Sequence, residues 1–198
     1  MTTPRLFRLI AFGFLTVAGA GGALAQDRPS IAPTRDAIVG YHLAPATGET
    51  IDVRVVFRGG GKALRVDLPD QSFMLAIPPT RSLVLVVPLQ ETALELPWAD
   101  GPQSLFLLDE RMRFTRKGEL TIAGQRCVQW DAVLETAKST VCVTKDGIVL
   151  RSQSQDPMGR RNLVDAFIVR YEGLAEADFV VPEGYDRMVA SPGRGPGK

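Results

Sequence analysis

From about residue 37 onward, apolar and polar positions alternate in short runs, each ended by proline, glycine or a polar turn. Ile51, Val53, Val55 and Phe57 alternate with Asp52, Arg54 and Val56, and Gly59-Gly60-Gly61 then turns the chain. Leu64, Val66 and Leu68 follow against Arg65 and Asp67, and after Pro69-Asp70 the run Phe73, Leu75, Ile77 shares a face. Pro78-Pro79 precedes a further apolar run, Ser82 to Val87. A period of two in segments of five to nine residues is the mark of strands, and their close spacing predicts an antiparallel all-β domain. The lead strand is Ala37 to Leu43, and later strands are expected at 113–116, 119–122, 148–152 and 163–171, with an extended segment at 179–185.

Two regions read differently. Residues 103–112 carry Leu105, Leu108 and Met112 at helical spacing behind an acidic cap and an early proline, which fits a short helix or another strand. Residues 127–143, CVQWDAVLETAKSTVCV, read as two strands around a polar turn and hold both cysteines, Cys127 and Cys142. Counting by twos puts Cys127 with Gln129 and Asp131, and Cys142 with Thr140 and Thr144, on the more polar face. Direct opposition of the two cysteines centres the turn on Leu134-Glu135, whereas composition centres it near Thr136-Ala137. An asymmetric loop or a bulge would reconcile the two.

Compartment decides how those thiols behave. Arg5 and Arg8 precede an apolar run from Leu9 to Val17, and Ala23-Leu24-Ala25 presents small residues at a cleavage site. That order is a secretory signal over residues 1–25, with the run too short to span a bilayer. Residues 26–35 follow as a Pro-rich lead-in, 36–188 as a single antiparallel β domain, and 189–198 as a disordered tail. In a periplasmic or secreted protein two thiols tend to pair. A redox site would favour C-x-x-C, and a zinc site needs about four ligands where the chain offers two cysteines and one histidine, His42. A Cys127–Cys142 disulfide is therefore expected.

Charge and motifs narrow the chemistry. Loss of Arg5 and Arg8 leaves the basic residues one short of the 22 acidic ones, which gives no footing for nucleic acid. No stretch after the signal is long and apolar enough to be an integral membrane segment. There is no G-x-S-x-G, no H-E-x-x-H, and RGGGKAL lacks phosphate-loop spacing. His42 has no acid or nucleophile placed beside it by spacing, and Trp130 reads as core. Catalytic, metal and cofactor sites are all expected to be absent, and the protein is read as a non-enzyme.

Three stretches carry a family resemblance: PTRDAIVGY (33–41), GELTIAGQRCVQWDA with VCVTKDGIVLR (118–132 and 141–151), and DFVVPEGYDRM (178–188). Together they resemble the DUF4412 family of exported bacterial proteins, itself similar to the LolA/LolB lipoprotein-carrier fold. The resemblance implies a strongly curved antiparallel sheet, a half-open barrel with little helix, whose apolar concave side is covered by helix or loop. The carriers use that side for acyl chains, so a lipid or a lipoprotein acyl chain is the expected partner, and an envelope protein the alternative. The apolar faces read from alternation then predict a cavity lined by Phe57, Val66, Phe73 and Leu75, with Leu105 and Leu108 on a covering helix and Arg54, Arg65 and Asp67 facing away.

Overall fold

The computed structural model describes residues 28–155 and 158–190. The predicted signal segment, and the tail from residue 191, lie outside the described residues. Twelve strands form one curved, unclosed sheet. They are β1 (Ala37–Ala44), β2 (Ile51–Arg58), β3 (Ala63–Asp67), β4 (Phe73–Ile77), β5 (Ser82–Val87) and β6 (Thr92–Glu95), then β7 (Arg113–Ile122), β8 (Gln125–Leu134), β9 (Ala137–Val143), β10 (Val149–Gln155), β11 (Arg161–Arg170) and β12 (Asp186–Val189). The spatial order is β12-β6-β5-β4-β3-β2-β1-β11-β10-β9-β8-β7. Two meanders, β2 to β6 and β7 to β11, thus meet across β1, with β12 and β7 as the edges.

The expected half-open, mainly β architecture is what the chain builds, with one exception to antiparallel pairing: β12 lies parallel to β6. Val189, assigned from sequence to the tail, belongs to that strand. Register shifts interrupt β1–β11 at Gly40/Tyr41, β9–β10 at Val149/Arg151 and β7–β8 at Arg116/Gly118. Each such bulge bends its strand and sharpens the local twist, which is how so wide a sheet curves. The shift at Arg116/Gly118 also corrects the expected break at Lys117-Gly118 between separate strands at 113–116 and 119–122. β7 runs through it as one ten-residue strand.

Both faces of the β2–β5 half are apolar and covered. On one face Val55, Phe57, Leu64, Val66, Ala76 and Leu83 pack with Tyr41 of β1 and with Phe106. Phe106 ends α1 (Gln103–Phe106), a single turn that is all the helix found in the predicted 103–112 region. Leu108 stands three positions after Leu105 in sequence, but Leu107 is already extended and its amide closes on Gln103, so the helical spacing is not sustained. On the opposite face Phe73, Leu75, Val84, Val86 and Ala93 pack with Val181 and Tyr185, and Ile38, Val56 and Ala63 with Phe179. The C-terminal segment, expected to be merely extended, is therefore the second covering layer.

The cysteine hairpin settles its register simply. Leu134 pairs with Ala137, so the turn is Glu135-Thr136 and Gln129 stands opposite Cys142 with no shift along the ladder. Neither a bulge nor an asymmetric loop is needed: the Cys127–Cys142 disulfide is diagonal, with Cα atoms 5.4 Å apart. It should be worth about 3 kcal/mol for a loop of this length. The cysteine face is not the polar one at this end. Both sulfur-bearing side chains are buried in the main core.

Candidate functional site

The six predicted cavity residues do not form one site. Phe57 and Val66 lie on the α1 face, in contact with the core around Phe106. Phe73 and Leu75 lie on the other, because Val66 is registered with Met74 and Leu64 with Ala76. Arg65 and Asp67, expected to face away from this set, share their face: the Arg65 guanidinium sits 3.8 Å over the Phe73 ring. Alternation failed here for a physical reason. A sheet buried on both faces has apolar residues at successive positions, so period two no longer names the inner face. Leu105 is 40% exposed, and Leu108 joins a separate cluster with Trp130, Ala132, Val141, Val143 and Val149.

The residue that fills the α1 face is Phe106, which no sequence argument singled out. Its ring is 0% exposed and lies 5.0 Å from that of Tyr41, whose hydroxyl donates to the Val149 carbonyl at 2.8 Å. Burial pushes the Tyr41 phenol well above its ordinary range. Residues 96–107, with Leu96, Trp98 and Leu107 alongside, form the cover. One polar defect is enclosed in it. Gln103 donates from Nε2 to the Trp98 carbonyl, while its buried Oε1 has no partner among the described residues.

An open cavity of about 240 Å³ lies elsewhere, against β7, β8 and the end of β9. Val128, Trp130 and Val143 floor it, Pro29 and Ser30 wall one side, and Arg116, Glu119, Arg126 and Lys145 stand around it. Arg116 and Glu119 pair at 2.6 Å, whereas Arg126 and Lys145 are exposed and make no ion pair among the described residues. Thr144, also in the lining, is buried, its hydroxyl accepting the Ile148 amide at 3.0 Å. The sequence signal was present: Arg126 precedes Cys127, and Lys145 follows Cys142-Val143-Thr144, so two cations flank the disulfide strands. A wider groove of about 1060 Å³ beyond the other ends of β8–β10 is lined mostly by polar residues, Asp131, Thr140, Gln153 and Arg161 among them, together with Ala132, Val133 and Ala137.

His42 is bonded through Nδ1 to Asp52 and stacked on Phe167, on the exposed side of β1. No group of three His, Cys, Asp or Glu side chains stands close enough to hold a metal among the described residues. No helix among them is long and apolar enough to cross a membrane.

No protein-family model matches the chain, and no curated protein matches it either. Solved structures do. An uncharacterised conserved protein from Thermus thermophilus aligns with a TM-score of 0.55 at 11% identity, over 79% of this chain and 91% of its own. MucB aligns at 0.53 and 12% identity, over 81% of this chain and 62% of MucB. In the Pseudomonas aeruginosa MucA/MucB complex the values are 0.50, 13%, 74% and 56%. The chain thus spans less than two thirds of MucB's length. A LolA superfamily protein, NE2245 from Nitrosomonas europaea, aligns at 0.40 and 9% identity over 75% of this chain and 91% of its own, too weakly to bear on function. At these identities the likeness is one of fold.

Proposed function

We propose that this is an exported, non-catalytic protein of the bacterial envelope that works by binding another protein, with its own chain filling the face that a carrier would leave open. The carrying observation is Phe106: the ring is fully enclosed with Tyr41, Phe57 and Val66 beneath it, and the open cavities lie away from that face. A solved fold-mate, MucB, has been captured in complex with a second protein, MucA, which is support of the same kind. Export rests on the Arg5, Arg8 and Ala23-Leu24-Ala25 signal, and membership of DUF4412 on the three resembling stretches.

The carrier reading keeps one observation in its favour. A buried carboxamide oxygen without a partner costs about 1–3 kcal/mol, so the unpaired Oε1 of Gln103 is a reason for the cover to lift and admit an acyl chain. Native mass spectrometry on protein recovered from its own envelope separates the two. The binding-module reading expects the bare chain or a protein adduct. A co-purifying lipid of fixed mass would replace it with the carrier.

A further inference from the structure

The sheet ends at β7, and that edge is open. Its ladder hydrogen bonds run to β8, and none of its backbone groups is claimed from the outer side among the described residues. A free row of N–H and C=O groups ten residues long is a template for a further strand. Folded proteins blunt such edges with charge and bulges, and β7 carries both: Arg113, Arg116 and Lys117 against a single Glu119, with a register shift at Arg116/Gly118. That combination opposes pairing with a second copy of β7, since the net positive edge would meet itself. It does not oppose an acidic strand.

The cavity lies on one face of the same edge. Arg116 and Glu119 of β7 belong to its lining, and in register with them stand Trp130 and Val128 of β8. Its floor is apolar, Val128, Trp130 and Val143, while three of the four charged groups around it are cations. Arg116 is paired to Glu119, so Arg126 and Lys145 are the two charges left to answer a ligand. The space of about 240 Å³ suits one large apolar side chain and little more. A strand laid along β7 presents alternate side chains to this face. One of them leans over β7 toward Val128 and Trp130 on β8, the nearer part of the floor, and a long acidic neighbour on that face approaches Arg126, also of β8.

Resting on the protein-binding function proposed above, we infer that β7 and this cavity together form the docking site for an acidic, extended segment of the partner protein. The segment adds as a thirteenth strand, leans one apolar or aromatic side chain against Val128 and Trp130, and sets a carboxylate toward Arg126, with Lys145 beyond β9 adding to the positive field. Main-chain bonding supplies affinity, and the cavity and cations select the segment.

The probe is a ten-residue peptide alternating glutamate with valine around one central phenylalanine, titrated into the mature protein. Its counterpart has lysine for every glutamate. The acidic peptide is expected to bind and the lysine peptide not. Arg126→Glu with Lys145→Glu should weaken binding at least ten-fold, whereas Arg187→Glu on the opposite edge strand should not. Amide hydrogen exchange should slow in residues 113–122 on binding. The inference fails if the acidic peptide does not bind, if the double variant binds as tightly as the parent, or if protection falls on β12 instead. Those outcomes leave the function itself standing, since that is decided by what leaves the envelope with the protein.

Discussion

At the scale of single residues, Asp36 ties three parts of the chain together. Its Oδ1 accepts the Gly59 amide at 2.8 Å and its Oδ2 the Leu174 amide at 3.1 Å, so the lead-in, the β2–β3 turn and the C-terminal layer share one carboxylate. The Gly59 amide above all, with Leu174, Arg58 and Lys62, holds its pKa below the ordinary value, against the pull of partial burial. A depressed folded-state pKa means the carboxylate's contribution is complete above the unfolded value near 3.9 and drains away as pH falls through the folded one. Asp36→Asn must turn an NH₂ toward one of the two amides, which is a donor facing a donor. We expect it to cost about 1–2 kcal/mol at about pH 7, in the range of hydrogen bonds to charged groups. The gap from the parent should narrow steadily below about pH 4 in urea melts. A gap that stayed constant with pH would show that the charge is not what matters. Nothing in the sequence separated Asp36 from its neighbours, because both partners lie far along the chain.

Elements were legible where a local run of alternation or a turn was enough to define them. The alternation in β2 and β3 and the cysteine hairpin both emerge from local pattern. β7 was split by Lys117-Gly118 because a glycine in a strand reads as a turn, and only the ladder with β8 shows it to be a bulge. The inner face of β4 was misassigned because Phe73 and Leu75 outweigh Met74 and Ala76, and a second layer, invisible locally, buries them. The lead-in is the other element whose role is tertiary. Gly147 has φ +85°, and a Cβ there would stand 2.2 Å from the Ala32 carbonyl oxygen and 3.0 Å from Ser30 Oγ. Gly124, at φ +72°, has nothing within 4 Å. Gly124→Ala should therefore cost only the backbone strain, about 1 kcal/mol, while Gly147→Ala must also push the lead-in outward and cost roughly 1–2 kcal/mol more. Paired urea titrations give both numbers. Equal losses would mean that the lead-in yields freely and is no fixed wall of the cavity.

For the whole molecule, the question is whether the α1 face is a core or a closed lid, and Phe106 is where the two part. A sheet that curves needs its apolar inner surface filled, and here a single-turn helix does it with one ring, flanked by Trp98 and Leu107. If that packing is the core of the molecule, Phe106→Ala should cost about 3–5 kcal/mol, the range for emptying a buried aromatic site. A hole of the order left by such a truncation, roughly 150 Å³ at most, admits a benzene-sized guest but not an acyl chain. A fluorescent fatty-acid probe should then bind neither the parent nor Phe106→Ala under conditions where both are folded. If instead residues 96–107 are a lid held down by that ring, its removal should lower stability little and raise probe binding, because the closed state loses its clasp while the face beneath stays apolar. The two readings thus predict opposite movements in two measurements on one variant. We expect the large loss of stability without any gain in fatty-acid binding.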